Sequence, residues 1–143
     1  FPRLYALPLP ALDIKAKTQA KTKAVPELLG EVRSIPGPSV QDLALPMYGM
    51  FRSRPTGMAH IPNGRGLVLL TYNAVFYAEL GEDRNWFRAL NDGLCSLPRP
   101  ELKQAESIAA DKQGRVYVTS EGKDAPLLRI TPPTECRGNA DGR

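Results

Sequence analysis

Two carboxylates in the last third of the sequence have the type and spacing to do chemistry. Glu106 opens one strand-like run and Glu121 closes the next, so antiparallel pairing of the runs would set them side by side. Carboxylate oxygens are the ligands that a hard cation such as Ca²⁺ prefers. The pair is therefore a candidate calcium site, and apart from it no cofactor is predicted. The alternative is that both side chains accept backbone or arginine hydrogen bonds at a strand end.

The residues that could support hydrolysis are less well arranged. His60 is the single histidine of the chain, and a catalytic triad would need a nucleophile and an acid beside it. Nothing in the sequence places Ser120, Asp111 or Glu121 there. Ser120 also lies outside a Gly-x-Ser-x-Gly elbow. We therefore predict no catalytic residue, and a structural or surface role for His60.

The two cysteines, Cys95 and Cys136, fit no zinc-binding spacing. If they pair, they close a loop of about 40 residues, which stabilises the fold by up to ~4 kcal/mol in the chain-entropy model. A disulfide would also indicate an oxidising compartment. We favour the disulfide over two free thiols.

Aromatic side chains are concentrated in the middle of the chain. Tyr77, Trp86 and Phe87, with the adjacent Arg88, form a candidate interaction patch for another protein. The alternative is that the aromatic residues pack in the core. A separate group of arginines could bind an anionic partner or form a solvated rim: Arg52, Arg54 and Arg65.

Charge and hydropathy exclude several partners. The net charge of +4 is modest, and the lysines at 15, 17, 21 and 23 are not accompanied by a nucleic-acid-binding module, so no nucleic-acid partner is predicted. No apolar run approaches the ~20 residues of a membrane span. The chain begins with Phe1 rather than methionine, and we expect a processed product or a piece of a longer protein.

The elements that would position these residues are short strands. The 14 prolines disfavour a mainly helical protein. Strands are predicted at 57–61, 66–72, 74–80 and 86–90, and the pattern restarts at 105–110, 116–120 and 126–130. Gly64 matches Gly114 at an offset of 50, and Thr71 matches Ser120 at an offset of 49. A repeat of about 40 to 50 residues with four strands is typical of a β-propeller blade.

The start of the chain extends this pattern. Residues 3–7 are similar to 126–130, a third strand, and 24–32 would follow as the fourth strand. The predicted fold is therefore all-β, a partial propeller of about two and a half blades. Its segments are the end of one blade (1–33), an irregular connection (34–55), a full blade (56–92), a linker (93–103), an incomplete last blade (104–132) and a polar tail (133–143). Other polypeptide would have to complete the ring.

Five stretches carry a resemblance to a known group of proteins: 56–59, 69–72, 104–108, 117–122 and 125–129. They resemble the closing blades of bacterial extracytoplasmic β-propellers of WD40-like, NHL-like or phytase-like type. The resemblance implies a periplasmic or secreted, non-enzymatic segment that acts as a protein-interaction scaffold in a larger assembly. The alternative is the C-terminal part of a phytase-like or esterase-like propeller hydrolase with a calcium site. The implied partner is another chain or the missing part of the same propeller.

Overall fold

The computed structural model describes residues 1–7, 25–62, 66–102 and 104–133. Within these ranges the chain is mostly β, in three antiparallel sheets with little helix. The strands are β1 (Arg3–Ala6), β2 (Glu27–Glu31), β3 (Pro55–Ile61), β4 (Gly66–Thr71), β5 (Val75–Glu79), β6 (Cys95–Ser96), β7 (Ala105–Ala110), β8 (Val116–Ser120) and β9 (Leu128–Ile130). The helices are α1 (Val40–Leu43) and α2 (Trp86–Asp92), with a 3₁₀ turn at Gly49–Phe51.

The sheets follow one another along the chain. The first sheet contains β1 and β2, the middle sheet contains β3 to β6 in sequence order, and the last sheet contains β7 to β9 in sequence order. Every strand is hydrogen-bonded to the next one along the chain within its sheet, which is the pattern of antiparallel meanders. The predicted all-β class is confirmed.

The two central strands of the middle sheet, β4 and β5, are buried on both faces. All six residues of β4 are buried, and this continuous apolar run is what a strand covered on both sides requires. Val68 and Leu70 pack with Val116 and Val118 of the last sheet. Because side chains alternate along a strand, Leu67 and Leu69 join a second core. That core includes Phe76, Ala78, Val32 and two residues of α2, Ala89 and Leu90.

The first strands of the middle and last sheets approach closely. Thr56 donates a hydrogen bond from its hydroxyl to the Ala105 carbonyl oxygen at 2.7 Å. A Cβ added to Gly57 would lie 3.0 Å from Cγ2 of Ile108. A larger side chain at position 57 would therefore press the two sheets apart.

The predicted repeat of the two hairpins is visible in the strand pairing. Pro55 lies opposite Thr71, and Ala105 lies opposite Ser120. A register shift follows in each case, between Pro55 and Gly57 and between Ala105 and Ser107. The offsets between corresponding residues are 105 − 55 = 50 and 120 − 71 = 49. The proposed match of Gly64 to Gly114 involves a residue outside the described ranges.

The prediction of a fourth strand at 86–90 is wrong, because these residues belong to α2. Asn85 caps this helix by accepting a hydrogen bond from the Arg88 backbone at 2.9 Å. The buried Ala89 and Leu90 then point into the core. The fourth strand of the middle sheet is β6, in which Cys95 pairs with Tyr77. The unit predicted to end at residue 92 therefore continues to Ser96.

The last sheet has three strands in the described part of the chain, and the incomplete blade at 104–132 stays a prediction. The connection predicted to be irregular, 34–55, contains α1 and the 3₁₀ turn. The lysine-rich stretch lies within 8–24, outside the described residues. None of the helices in the described ranges combines the length and the hydropathy needed to cross a bilayer.

Candidate functional site

The irregular pairing at the start of β7 places Glu106 beside Glu121. Ala105 pairs with Ser120 and Ser107 pairs with Thr119, so Glu106 is the extra residue of a β-bulge. Glu121 follows Ser120 directly. The side chain of Glu121 is close enough to Glu106 to perturb its pKa. The juxtaposition predicted from the sequence is therefore present.

The electrostatics of this carboxyl pair favour a bound proton or cation. Hydrogen bonding of protonated Glu106 to Glu121, together with desolvation and the negative charge of Glu121, raises the pKa of Glu106 above its usual 4.5. A hydrogen bond to Tyr72 opposes this and lowers the pKa. Two carboxyls in contact can share one proton, because two adjacent negative charges repel each other.

The donor set of the pair suits calcium but is small. Carboxylate and hydroxyl oxygens are hard ligands, and Ca²⁺ takes six to eight of them. Glu106, Glu121 and the hydroxyl of Tyr72 would supply three side chains, and solvent would have to supply much of the rest. Across the described residues, no group of three or more histidine, cysteine, aspartate or glutamate side chains could hold a metal ion.

Asp111, the third acidic residue of the unit, has a local structural role. It lies at the other end of β7, roughly 17 Å along the strand from Glu106. Its Oδ1 accepts hydrogen bonds from the backbone of Gln113 at 2.9 Å and of Arg115 at 3.0 Å. Desolvation raises its pKa, but the hydrogen bonds from Arg115, Gln113 and Tyr117 outweigh it, and the pKa is lowered. Asp111 thus holds the turn between β7 and β8.

A buried carboxylate that the sequence analysis missed lies in the connection before β3. Asp42 is 5% exposed and forms a capping box with Ser39 at the start of α1. Asn73, 31 positions away, donates from its amide nitrogen to both carboxylate oxygens at 3.0 and 2.9 Å. The Ser-x-x-Asp spacing is the sequence pattern that could have indicated the helix cap at Asp42. The contact between Asp42 and Asn73 is tertiary and has no local sequence pattern.

Arg52 completes the environment of Asp42. Its Nε lies 3.0 Å from Oδ1 of Asp42, a charge contact that lacks the alignment of a hydrogen bond. Desolvation raises the pKa of Asp42. Hydrogen bonds from Ser39 and Asn73 and the positive charge of Arg52 lower it by a larger amount, so the pKa lies below 3.8. The guanidinium group is therefore held by a carboxylate that stays ionised near neutral pH.

His60 contacts an aromatic ring. The ring of Trp86 meets its imidazole edge to face at a centroid distance of 5.1 Å. Both line an apolar groove of about 260 Å³ between the first and middle sheets, with Met58 and Leu4 among its other residues.

The hydroxyl of Ser120 donates to the Glu121 backbone carbonyl at 3.3 Å.

The candidate interaction residues differ in exposure. Tyr77 is 4% exposed and belongs to the core, so it offers no surface in this structure. Trp86 and Phe87 are half-buried on α2. Arg88 is exposed and contacts Asp83 and Asp92 at 3.2 and 3.0 Å.

One of the two cysteines of the predicted disulfide lies among the described residues. Cys95 is buried in β6. Cys136 lies outside the described residues, so the pairing of Cys95 with Cys136 stays a prediction.

No protein-family model matches the chain, and neither the curated proteins nor the solved structures give a significant match.

Proposed function

We propose that this chain is a non-enzymatic segment of an extracytoplasmic β-propeller and acts as an interaction scaffold in a larger assembly. Its blades would be the three successive sheets, and further blades from the same or another polypeptide would cover the two end sheets. The WD40-like, NHL-like or phytase-like resemblance and a bacterial periplasmic or secreted location belong to the same proposal. The carrying observation is that β4 and β5 of the middle sheet are covered on both faces, while the end sheets retain exposed apolar residues on β1, on β2 and directly before β9.

The first sheet supports the proposal through a cross-strand pair. Tyr5 of β1 lies opposite Leu28 of β2, and their exposed fractions are 51% and 53%. In the middle sheet, Leu69 of β4 lies directly opposite Phe76 of β5, and both side chains of this pair are buried. Burying a leucine side chain is favourable by about 2 kcal/mol, so a neighbouring sheet would gain stability by covering this pair.

The last sheet supports it through its outer strand. Leu69 pairs with Phe76 in the middle sheet, and Val118, its counterpart in the repeat, pairs with Leu128 in the last sheet. Leu128 is therefore the counterpart of Phe76, and Leu127 is the counterpart of Val75. The Val75 carbonyl accepts a hydrogen bond from the Leu97 backbone at 2.9 Å, and Val75 is fully buried. Leu127 is 67% exposed in the described part of the chain. A neighbouring sheet packed on this face would cover Leu127 as the last sheet covers Val75.

Substitution of Leu28 tests the assembly. The native gene product and its Leu28→Asp variant are compared by size-exclusion chromatography with light scattering and by far-UV circular dichroism. We expect the variant to keep its secondary structure and to lose association with its neighbouring blades by at least about tenfold, because a charge replaces a buried apolar contact. Val40→Asp is the matched control, since Val40 is 86% exposed on α1.

The proposal is wrong if the native product is a monomer no larger than this chain. It is also wrong if Leu28→Asp and Val40→Asp leave the association equally unchanged.

The second candidate function is that of a phytase-like or esterase-like propeller hydrolase with a calcium site. The observation that favours it is the contact between Glu106 and Glu121, which concentrates negative charge at one bulge. Calcium bound there would neutralise the pair and supply a Lewis acid. Glu106 and Glu121 would hold the ion, and Tyr72 would orient Glu106.

Calcium binding is measured by the unfolding temperature in EDTA and in millimolar CaCl₂. A ligand that binds only the folded state raises this temperature. We expect the rise in the wild type and its loss in Glu106→Gln and Glu121→Gln, while Glu79→Gln, an exposed carboxylate at the end of β5, keeps it. No rise in the wild type would reject the calcium site and leave the scaffold proposal standing.

A further inference from the structure

A second groove lies at the end of the middle sheet where Tyr72 follows β4. It has a volume of about 530 Å³, within the roughly 300–1,000 Å³ usual for small-molecule sites. The lining combines aromatic, apolar and polar side chains: Leu45, Pro46, Tyr48, Phe51, Arg52, Tyr72 and Gln104. Unlike the apolar groove beside His60, it contains a cation.

Arg52 is oriented before any ligand arrives. Its side chain is 18% exposed, and Asp42 contacts it through Nε. Asp42 is in turn fixed by the amide of Asn73 and the capping box with Ser39. Among the described residues Asp42 is the ion-pair partner of Arg52, and this contact uses one of the three guanidinium nitrogens. The terminal nitrogens can therefore form the two-pronged contact that guanidinium groups make with carboxylates and phosphates.

The aromatic residues define the rest of the ligand. Tyr48 is 65% exposed and Tyr72 is half-buried, so both present ring surface to the groove. The ring of Phe51 is contacted by Arg54, whose guanidinium carbon lies 4.5 Å from the ring centroid. Exposed aromatic rings beside a fixed cation suit a flat molecule that carries a negative charge.

We propose that this groove binds a small aromatic organic anion, with its carboxylate or phosphate on Arg52 and its ring against Tyr48 and Tyr72. Of the other two arginines considered from the sequence, Arg54 lines a different groove, and Arg65 lies outside the described residues. The carboxyl pair adjoins this groove, because Tyr72 also interacts with Glu106 and Gln104 of the lining lies two positions before Glu106.

The test is a calorimetric titration of the native gene product with four probes: phenyl phosphate, benzoate, benzyl alcohol and inorganic phosphate. We expect phenyl phosphate, benzoate or both to bind at least about tenfold more tightly than benzyl alcohol and inorganic phosphate. Binding of one aromatic anion and not the other identifies the acidic group that the site prefers. Equal binding of benzyl alcohol overturns the proposal, as does the absence of binding by both aromatic anions.

Two variants locate the site. Arg52→Gln is combined with Asp42→Asn, because loss of Arg52 alone would leave a buried charge unpaired. We expect this double variant to lose at least about tenfold in affinity for the aromatic anion, whereas Arg33→Gln, on an exposed arginine of another sheet edge, changes nothing. Tyr48→Ala, at an exposed position, should weaken the aromatic anion but not inorganic phosphate. Wild-type affinity in the double variant or in Tyr48→Ala would contradict the assignment.

Discussion

At the scale of single residues, the clearest electrostatic feature is the raised pKa of Glu106. A carboxyl whose folded-state pKa exceeds its unfolded value stabilises the fold below the unfolded pKa, and this contribution is lost as the pH rises through the folded pKa. For Glu106 the loss begins near pH 4.5 and continues above it, because Glu121 repels the ionised form. Glu106→Gln removes that repulsion.

We predict that Glu106→Gln equals or exceeds the wild type in unfolding temperature at pH 7. The wild type should gain on the variant as the pH falls toward 4.5. Thermal unfolding in EDTA between pH 4 and 8 measures both. Glu79→Gln, which changes an exposed carboxylate of β5, controls for net charge. The contrary result is a Glu106→Gln variant that is less stable than the wild type at pH 7, with a smaller deficit at pH 4.5. That result would show that the carboxylates of Glu106 and Glu121 do not repel each other.

Asp42 should show the opposite pH dependence. Its pKa is lowered below 3.8, so its stabilisation is present above that value and is lost as the pH falls through the lower folded-state pKa. We predict that Asp42→Ala reduces the free energy of unfolding by about 3 kcal/mol at pH 7, because it leaves Arg52 and the Asn73 amide without their partner. Urea unfolding at pH 7 and at pH 3 measures the loss.

The difference between Asp42→Ala and the wild type should shrink at pH 3. Asp42→Asn, which retains one acceptor oxygen, should cost less than Asp42→Ala. An equal loss at both pH values would mean that packing, and not charge, stabilises this position.

At the scale of elements, the connection before β3 depends on close backbone packing at Gly49. A Cβ built on Gly49 would lie 1.7 Å from the Asp42 carbonyl oxygen and 2.6 Å from its carbon. We predict that Gly49→Ala destabilises the fold by about 2 kcal/mol or more, because the 3₁₀ turn must move away from α1. Thermal unfolding measures the change.

Gly37→Ala is the matched control for Gly49. A Cβ at Gly37 would meet nothing within 4 Å, so this substitution should be neutral or slightly stabilising. Equal effects of the two substitutions would contradict the close approach of the 3₁₀ turn to α1.

The elements that could be predicted from the sequence are those set by local patterns. The β3–β4 and β7–β8 hairpins follow from alternating or continuous apolar runs joined by glycine-containing segments, and the antiparallel pairing of β7 with β8 brings Glu106 near Glu121. The stretch 86–90, which is apolar apart from Arg88, fits a strand or a helix equally, and the cap at Asn85 favours the helix. The Asp42–Asn73 contact joins residues 31 positions apart, which no local pattern encodes.

At the scale of the whole molecule, burial is distributed unevenly among the three sheets. Strands β4 and β5 are covered by the last sheet on one side and by the first sheet and α2 on the other. Opening them requires both cores to separate, whereas β1 and β2 lose contacts on one side only. Hydrogen exchange should therefore be slowest in the middle sheet.

In the isolated chain, we predict that the amides of Val68, Leu70 and Phe76 exchange close to the rate of global unfolding. The amides of β2 and β9 should exchange at least about tenfold faster. In the native assembly the end sheets should gain protection, because neighbouring blades would cover Leu28 and the edge beside Leu128. Exchange followed by mass spectrometry with peptide resolution compares the two states. The segment Val40–Leu43 is the internal control, since the scaffold proposal covers only the end sheets. Unchanged exchange of both end sheets in the assembly, or equal gains at α1, would contradict the scaffold proposal.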